Sequence, residues 1–143
     1  GSAADQDRTV YEEADDSFYL GISRSRSERF ICIQAQSTVS AEQRCTPAAA
    51  PGEFTVIAPR LRDFEYQADH LGGRWVIRTN WDAPNFKLMV LADDMPLGDR
   101  GTWQELVVTI HDRKVSGSIV GIPSLSMQHA LPAAPSGRRG SPA

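Results

Sequence analysis

The sequence predicts an all-β fold, and three observations support the prediction. Short runs of β-branched and aromatic residues recur between turn signals. The clearest pair lies in Phe64–Asn80, where one alternating run reaches Asp69–Gly73 and a second run resumes at Arg74. The Gly72-Gly73 pair in that break supplies the positive φ angles that a short hairpin turn needs. No amphipathic helical pattern of useful length precedes residue 110.

Eight strands are predicted in chain order, each bounded by turn residues. They are Phe18–Ser23, Arg29–Gln36, Ala41–Thr46, Phe54–Ala58, Phe64–Ala68, Arg74–Asn80, Phe86–Leu91 and Trp103–Ile110. In the second strand, Phe30 and Cys32 lie on one side and Ile31 and Ile33 on the other. Strands that are apolar on both sides predict a sheet covered on both faces.

The eight strands form two similar halves. Arg29–Ile33 corresponds to Arg74–Arg78, and Tyr19 corresponds to Tyr66, at a spacing of about 45 residues. Two successive four-stranded units of this length are typical of a β-propeller, in which each blade is an antiparallel meander packed between neighbours. An eight-stranded β-sandwich is the alternative, and the periodicity favours the propeller without excluding the sandwich. The predicted fold is therefore a partial β-propeller of about two four-stranded antiparallel blades with a disordered C-terminal tail.

The repeat and the composition divide the chain into four segments. Residues 1–16 are polar and acidic and predict a connecting segment. Residues 17–58 form the first predicted blade and residues 59–110 the second. Residues 111–143 are rich in Pro, Ala, Ser and Gly and carry a net positive charge, unlike the acidic chain before them. This composition predicts a divergent, mostly disordered tail, with disorder from about residue 123.

Composition and charge argue against several classes of function. The net charge is −3, without a basic field, so neither nucleic acid nor an anionic membrane is an expected partner. No stretch approaches the ~20 apolar residues of a membrane span. The three histidines lie far apart without metal-ligand spacing, so we expect no metal and no cofactor. The acidic N-terminal residues show no signal-peptide core, which predicts a cytoplasmic location.

The two cysteines occupy predicted neighbouring strands. The midpoint between Cys32 and Cys45 falls at the likely turn, so the two side chains can face each other across a hairpin. A disulfide is one interpretation. We favour the other, two reduced cysteines packed as small hydrophobic side chains, because nothing marks the chain as secreted.

No catalytic constellation is visible, and we expect no catalytic, cofactor-binding or metal-binding residue in this chain. The G-x-S-x-G elbow of α/β-hydrolases is absent. Asp69-His70 could form a dyad, but we interpret the pair as turn residues. Adjacent carboxylates on a strand point to opposite faces and do not share a substrate atom. Such pairs are Glu12-Glu13, Asp15-Asp16 and Asp93-Asp94.

Three stretches carry a resemblance to a known family. They are Val10–Gln34 with its V-Y-E-E-x-D-D-x-F-Y opening, Pro59–Met89 with E-Y-x-x-D-H-x-x-x-R-W-x-I-R-T-N and N-F-K-L, and Trp103–Leu106 with W-x-E-L. In this order and spacing they resemble the oligopeptidase B group of the prolyl oligopeptidase family of serine peptidases. The resemblance covers about two blades of that family's N-terminal propeller and ends after Leu106.

The resemblance implies a longer parent enzyme. Its propeller covers a catalytic α/β-hydrolase domain, and the enzyme cleaves short peptides after Lys or Arg. None of the family's catalytic triad matches a position in this chain, so we expect a truncated product or fragment without activity of its own. Its expected partners are that catalytic domain, short peptides in the parent enzyme and, through two open blade faces, further copies of itself. The alternative is a stand-alone β-rich module that binds a ligand or protein through Trp81 and the loop Asp93–Gly101.

Overall fold

The computed structural model describes residues 7–120, and this part of the chain folds into antiparallel strands with one short 3₁₀ turn at Arg100–Thr102. The strands are β1 (Tyr19–Arg24), β2 (Phe30–Gln36), β3 (Ala41–Pro47), β4 (Thr55–Val56), β5 (Tyr66–Leu71), β6 (Arg74–Thr79), β7 (Lys87–Ala92), β8 (Gln104–His111) and β9 (Lys114–Ile119). The described part of the chain contains no helix with the length and hydrophobicity that a membrane-spanning segment requires.

The strands form two meanders, each in chain order. The first sheet has the order β1-β2-β3-β4 and the second β5-β6-β7-β8-β9. Every neighbouring pair is antiparallel. The all-β prediction and the two successive meanders are confirmed.

The central hairpin is confirmed, but its first strand is longer than predicted. Gly72 and Gly73 have φ angles of 61° and 74°, and Leu71 pairs directly with Arg74. A two-residue turn of this kind matches the twist of the flanking strands. Strand β5 therefore continues beyond Ala68 through Leu71, and only the two glycines form the turn.

Strand β9 is a strand that the sequence did not predict. It pairs with β8 across a tight turn in which Asp112 and Arg113 have φ angles of 51° and 65°. Lys114–Ile119 lies inside the segment 111–143 that we interpreted as a tail. The disorder predicted from about residue 123 falls outside the described residues.

The main core lies between the two sheets. We call the side of each sheet that contacts the other its near face and the opposite side its far face. The first sheet contributes Phe30, Cys32 and Cys45 to the contact. The second sheet contributes a larger apolar set: Tyr66, Trp75, Ile77, Met89, Leu91 and Trp103. Both sheets thus bury apolar side chains from alternate strand positions, as the sequence pattern predicts.

The predicted alignment of the repeat is wrong by one residue in the first two strands, because Tyr19 and Tyr66 both lie on near faces, as do Phe30 and Trp75. Neighbouring blades of a propeller are related by rotation about a common axis, so equivalent faces of all blades point the same way around that axis. The near face of the first sheet is therefore equivalent to the far face of the second. Phe30 and Trp75 both lie on near faces, with ring centroids 4.8 Å apart, and so are not equivalent. The equivalent of Trp75 is Ile31, on the far face of β2.

The segment before β1 is fixed to the far face of the first sheet. We call residues 7–18 the strap. The Arg60 guanidinium donates to Glu13 Oε1 at 2.6 Å and to Glu42 Oε1 at 3.0 Å, which ties the strap to β3. The Arg44 guanidinium lies 4.3 Å from the centroid of the Tyr11 ring. The strap is therefore held by charge-assisted and cation–π contacts.

The cysteines form a disulfide, so our preference for reduced thiols is contradicted. Cys32 on β2 pairs directly with Cys45 on β3, with Cα atoms 4.1 Å apart. The predicted facing geometry across the hairpin is correct. The absence of a secretion signal favoured reduced thiols, but the direct pairing of the two positions brings the sulfur atoms within bonding distance.

Candidate functional site: the seam between the two sheets

We call the contact between the two near faces the seam, and two groups of polar residues join the sheets there. The first group centres on Gln43 of β3, which is buried. Its side-chain Nε2 donates to the Ala68 carbonyl at 2.9 Å, and its Oε1 accepts from the Ala68 amide at 3.0 Å. The side-chain amide thereby satisfies both backbone groups of a residue in the other sheet, as a neighbouring strand would.

Tyr66 of β5 adds a second link at the same place. Its hydroxyl accepts from the backbone amides of Gln43 at 2.8 Å and Ala58 at 3.1 Å, and donates to the Ala58 carbonyl at 2.8 Å. Burial raises the pKa of Tyr66 to about 12, although the amide hydrogen bonds favour the ionised form. The hydroxyl is therefore a neutral structural group at physiological pH.

The second group centres on His70, which is completely buried. Its Nε2 lies 2.6 Å from Asp93 Oδ1 and its Nδ1 lies 2.7 Å from Ser27 Oγ. An ionised carboxylate only accepts hydrogen bonds, so Nε2 donates to Asp93. Ser27 belongs to the turn between β1 and β2, whereas Asp93 follows β7, so this chain of hydrogen bonds crosses the seam.

Charged residues surround this histidine. Arg29 Nη1 donates to Asp93 Oδ2 at 3.1 Å, and the Arg26 amide donates to Asp69 Oδ1 at 2.8 Å. Burial alone would raise the pKa of Asp93. The hydrogen bonds from His70 and Arg29, with the positive charge of Arg29, outweigh it and hold the pKa of Asp93 below its ordinary value. Asp93 is therefore an ionised acceptor that joins the two sheets.

The order Ser27, His70, Asp93 contains the residue types of a serine-hydrolase relay, but the geometry does not support catalysis. The Phe30 and Trp75 rings pack on the imidazole, with centroids 4.8 and 5.0 Å away. Both ring nitrogens are already hydrogen-bonded, and the ring has no exposed surface for a substrate to approach. The arrangement is suited to holding the sheets together.

The interpretation of Asp69-His70 as turn residues is wrong. Both residues lie within β5, and His70 is in the core. Sequence reasoning missed its partners because Ser27 and Asp93 are distant in the chain and show no recognisable spacing. The alternation of β5, which places His70 on the same face as Tyr66 and Ala68, was the available signal.

The other candidate residues are dispersed. Trp81 was the proposed ligand platform, but the Trp103 ring packs on it at 6.1 Å and the Arg100 guanidinium lies 4.7 Å from its centroid. In the loop Asp93–Gly101, the Gly98 amide donates to the carbonyl of Ile57, the residue that follows β4. Within residues 7–120, no group of His, Cys, Asp and Glu side chains is arranged to hold a metal.

Comparison with known proteins decides what these stacked sheets are. A family model described as the prolyl oligopeptidase N-terminal β-propeller domain matches residues 1–121. The chain belongs to the prolyl oligopeptidase family. Its two sheets are therefore part of a propeller rather than a sandwich, and the family predicted from the sequence is confirmed.

Individual relatives agree with this assignment. The chain is 59% identical over 118 residues to dipeptidyl aminopeptidase BI of Pseudoxanthomonas mexicana, covering 82% of this chain and 16% of that protein. It is 32% identical over 90 residues to protease 2 of Moraxella lacunata, covering 62% of this chain and 13% of that protein. The chain thus spans about a sixth of the length of these relatives or less.

Solved structures show the same fold. Oligopeptidase B from Leishmania major superimposes with a TM-score of 0.64 at 18% identity, covering 83% of this chain and 20% of that one. Oligopeptidase B from Trypanosoma brucei gives a TM-score of 0.64 at 20% identity, covering 83% of this chain and 18% of that one. At this level of identity, the likeness concerns the fold.

Proposed function

We propose that this chain forms part of the propeller that covers the catalytic domain of a serine peptidase acting on short peptides. The observation that carries the proposal is the match of residues 1–121 to the family's propeller domain. A propeller of this kind contributes by enclosing the substrate and excluding larger molecules and water, and not by supplying reacting groups. The burial of His70 agrees with such a role, because Ser27, His70 and Asp93 serve to hold the two sheets together.

The seam gives this role a physical basis. A cover excludes folded proteins only if its blades keep a fixed separation, because a propeller that opens between blades admits larger substrates. The Gln43–Ala68 and Ser27–His70 links each join one sheet to the other through partly buried hydrogen bonds. Such bonds cost more to break than exposed ones, since the separated groups would lack partners.

The bond that the parent enzyme cleaves is a separate proposal. The resemblance to the oligopeptidase B group supports cleavage after Lys or Arg. A second candidate is release of dipeptides from a free amino terminus, favoured by the 59% identity to a protein named dipeptidyl aminopeptidase. Substrates distinguish the two: an N-blocked peptide ending in Arg-aminomethylcoumarin reports the first activity, and an unblocked dipeptide-aminomethylcoumarin reports the second.

The first experiment tests the chain alone. The 143-residue protein is incubated with both coumarin substrates and with a fluorophosphonate probe that labels activated serines. We expect neither turnover nor labelling, because His70 is inaccessible and its hydrogen bonds are used within the seam. Stoichiometric labelling of Ser27, lost in a Ser27→Ala variant, would overturn the proposal of a non-catalytic cover.

The second experiment uses the longer enzyme that contains this sequence. A ten-residue peptide and a folded protein carry the same cleavable bond, and both rates are measured for the parent and for its Gln43→Ala variant. We expect the variant to cleave the folded protein faster relative to the peptide. Gln36→Ala, at an exposed position of the same sheet, is the matched control. An unchanged ratio in Gln43→Ala would contradict a size filter based on the seam.

The cellular location is also a proposal. We keep the cytoplasmic location that the sequence predicts, although the Cys32–Cys45 bond is of a kind that persists mainly in oxidising compartments. Alkylating free thiols in intact cells before lysis distinguishes a cytoplasmic from an oxidising compartment. Cysteines that are oxidised and therefore escape alkylation would argue for an oxidising compartment.

A further inference from the structure

The Cys32–Cys45 bond lies inside the seam, on the near face of the first sheet. Both cysteines are only 2% exposed, and they share a core cluster with Tyr66 and Trp75 of the second sheet. The backbone of the first sheet closes the other side of the bond, because β2 and β3 pair directly at these two positions. A molecule that approaches the sulfur atoms from solvent therefore has to enter between the two sheets.

Gln43 connects this bond to the second sheet. It lies two residues before Cys45 on β3, so the two side chains share the near face. The Nε2 atom of Gln43 donates to Cys45 Sγ at 3.8 Å and to the Ala68 carbonyl at 2.9 Å. A side-chain amide nitrogen carries two hydrogens, so one atom serves both acceptors. The side chain that joins the sheets is thus in direct contact with the disulfide.

Tyr66 holds the same residue through its backbone. The Tyr66 hydroxyl accepts from the Gln43 amide at 2.8 Å, so Gln43 is attached to the second sheet at both its backbone and its side chain. Separation of the sheets at this point would leave these buried polar groups without partners, which is costly. Exposure of Cys45 is therefore coupled to the loss of the Gln43 contacts.

The chemistry of disulfide reduction adds a second requirement. A thiolate attacks one sulfur, the S–S bond breaks, and the other cysteine leaves as a thiolate while a mixed disulfide forms. A second thiol then attacks the mixed disulfide, so both cysteines end as thiols and the reductant is oxidised to its own disulfide. The attacking group is an anion, and its transfer into an apolar core carries a high desolvation cost. Reduction is therefore slow while the seam is closed.

We propose that the seam controls the redox state of this disulfide, so that small-molecule thiols reduce the Cys32–Cys45 bond only when the two sheets separate locally. The co-reactant is a low-molecular-weight dithiol or a pair of monothiols. Reduced cysteines mark molecules in which the seam has opened. The inference concerns the contact between the two sheets and does not depend on which peptides the parent enzyme cleaves.

The rate of reduction tests this proposal. The 143-residue chain is mixed with dithiothreitol, samples are quenched with iodoacetamide, and intact mass gives the fraction with two alkylated cysteines. Reduction of the folded chain should be slower, on the order of a hundredfold or more, than reduction of the urea-unfolded chain at the same pH and reductant concentration. Comparable rates, or cysteines that are alkylated before any reductant is added, would overturn the proposal.

Variants show whether the seam is what protects the bond. Gln43→Ala removes the contacts with Cys45 and Ala68 and should accelerate reduction by about tenfold or more in the absence of urea. Tyr66→Phe keeps the ring but removes the hydroxyl, so it should act in the same direction and provides the test if Gln43→Ala does not fold. Gln36→Ala, at an exposed position of β2, is the matched control and should be reduced at the parent rate.

The dependence on urea separates local opening from global unfolding. Opening of the seam exposes less surface than unfolding, so reduction through it should respond only weakly to low concentrations of urea. Glu13→Gln weakens the strap on the far face and should leave this low-urea rate unchanged. A steep response from zero urea, or an equal acceleration in Glu13→Gln and Gln43→Ala, would show that global unfolding exposes the bond and would overturn the proposal.

Discussion

The side-chain amide of Gln43 occupies the place of a strand neighbour for Ala68, accepting from its amide at 3.0 Å and donating to its carbonyl at 2.9 Å. This pair joins sheets that share no strand ladder. Its loss leaves two backbone groups without partners in a half-buried position. A few residues such as Gln43 therefore carry much of the polar contact between the two sheets.

The first prediction concerns Gln43→Ala. We expect the free energy of unfolding to fall by about 1–3 kcal/mol, the cost of leaving a buried backbone group unsatisfied. Urea unfolding followed by tryptophan fluorescence measures the change. Gln36→Ala, at an exposed position of β2, is the control and should change stability by less than about 0.5 kcal/mol. Equal losses in the two variants would contradict a special role for Gln43.

The second prediction concerns His70→Ala. The substitution removes a buried ring that packs on Phe30 and Trp75 and deletes the link between Ser27 and Asp93. We expect a loss on the order of 3 kcal/mol in the same unfolding assay, since a cavity and unpaired polar groups are both created. His111→Ala removes an exposed histidine and should have little effect. If both variants retain the parent stability, the imidazole does not hold the seam.

The third prediction concerns the Cys32–Cys45 bond, which closes a loop with a sequence separation of 13. Cross-linking of this length restricts the unfolded chain and stabilises the fold by about 3 kcal/mol. A reductant present during urea unfolding should therefore lower the midpoint for the parent chain. The midpoint of a Cys32→Ala, Cys45→Ala double variant should not respond to the reductant. A parent chain whose midpoint is the same with and without reductant would show that the bond does not form in solution.

The fourth prediction concerns pH. The hydrogen bond from Arg60, together with those from Asp15 and Tyr11, lowers the pKa of Glu13 from 4.5 to about 2. A carboxyl group whose pKa is lower in the folded state stabilises the fold above its unfolded pKa, and that contribution disappears as the pH falls toward the folded value. Stability should therefore decline between about pH 4.5 and pH 2.

Variants assign that decline to the strap. Glu13→Gln should unfold more easily than the parent at pH 6 and lose less stability on acidification to pH 3, measured as the shift in urea midpoint. Glu12→Gln changes the exposed neighbouring acid and should retain the parent's dependence on pH. The assignment to Glu13 fails if the two variants lose equal amounts on acidification.

Much of the fold was predictable from local pattern. Period-two alternation and the Gly72-Gly73 turn are properties of the sequence, and they specified the strands and the central hairpin. The register between blades was not predictable, because strands that are apolar on both sides do not show which face will contact the neighbouring sheet. Strand β9 was missed because Lys114–Ile119 contains Ser and Gly, which weaken the strand signal.

The seam was less predictable than the strands. Its polar links join residues from different sheets, and nothing local to Gln43 or His70 shows which backbone or carboxylate they will meet. The facing positions of Cys32 and Cys45 were predicted from the hairpin. The bond between them was not, because strand spacing carries no information about the redox environment. The apolar alternation of β5 and β6 was sufficient to place His70 and Trp75 on one face.

The most direct test of the account is whether the two meanders pack face to face in solution. Nuclear Overhauser contacts between side chains are measured on the folded 143-residue chain. The account predicts contacts between the ring protons of Phe30 and Trp75 and between the Gln43 side-chain amide and Ala68. Contacts confined within each sheet, with none between Phe30 and Trp75, would contradict it.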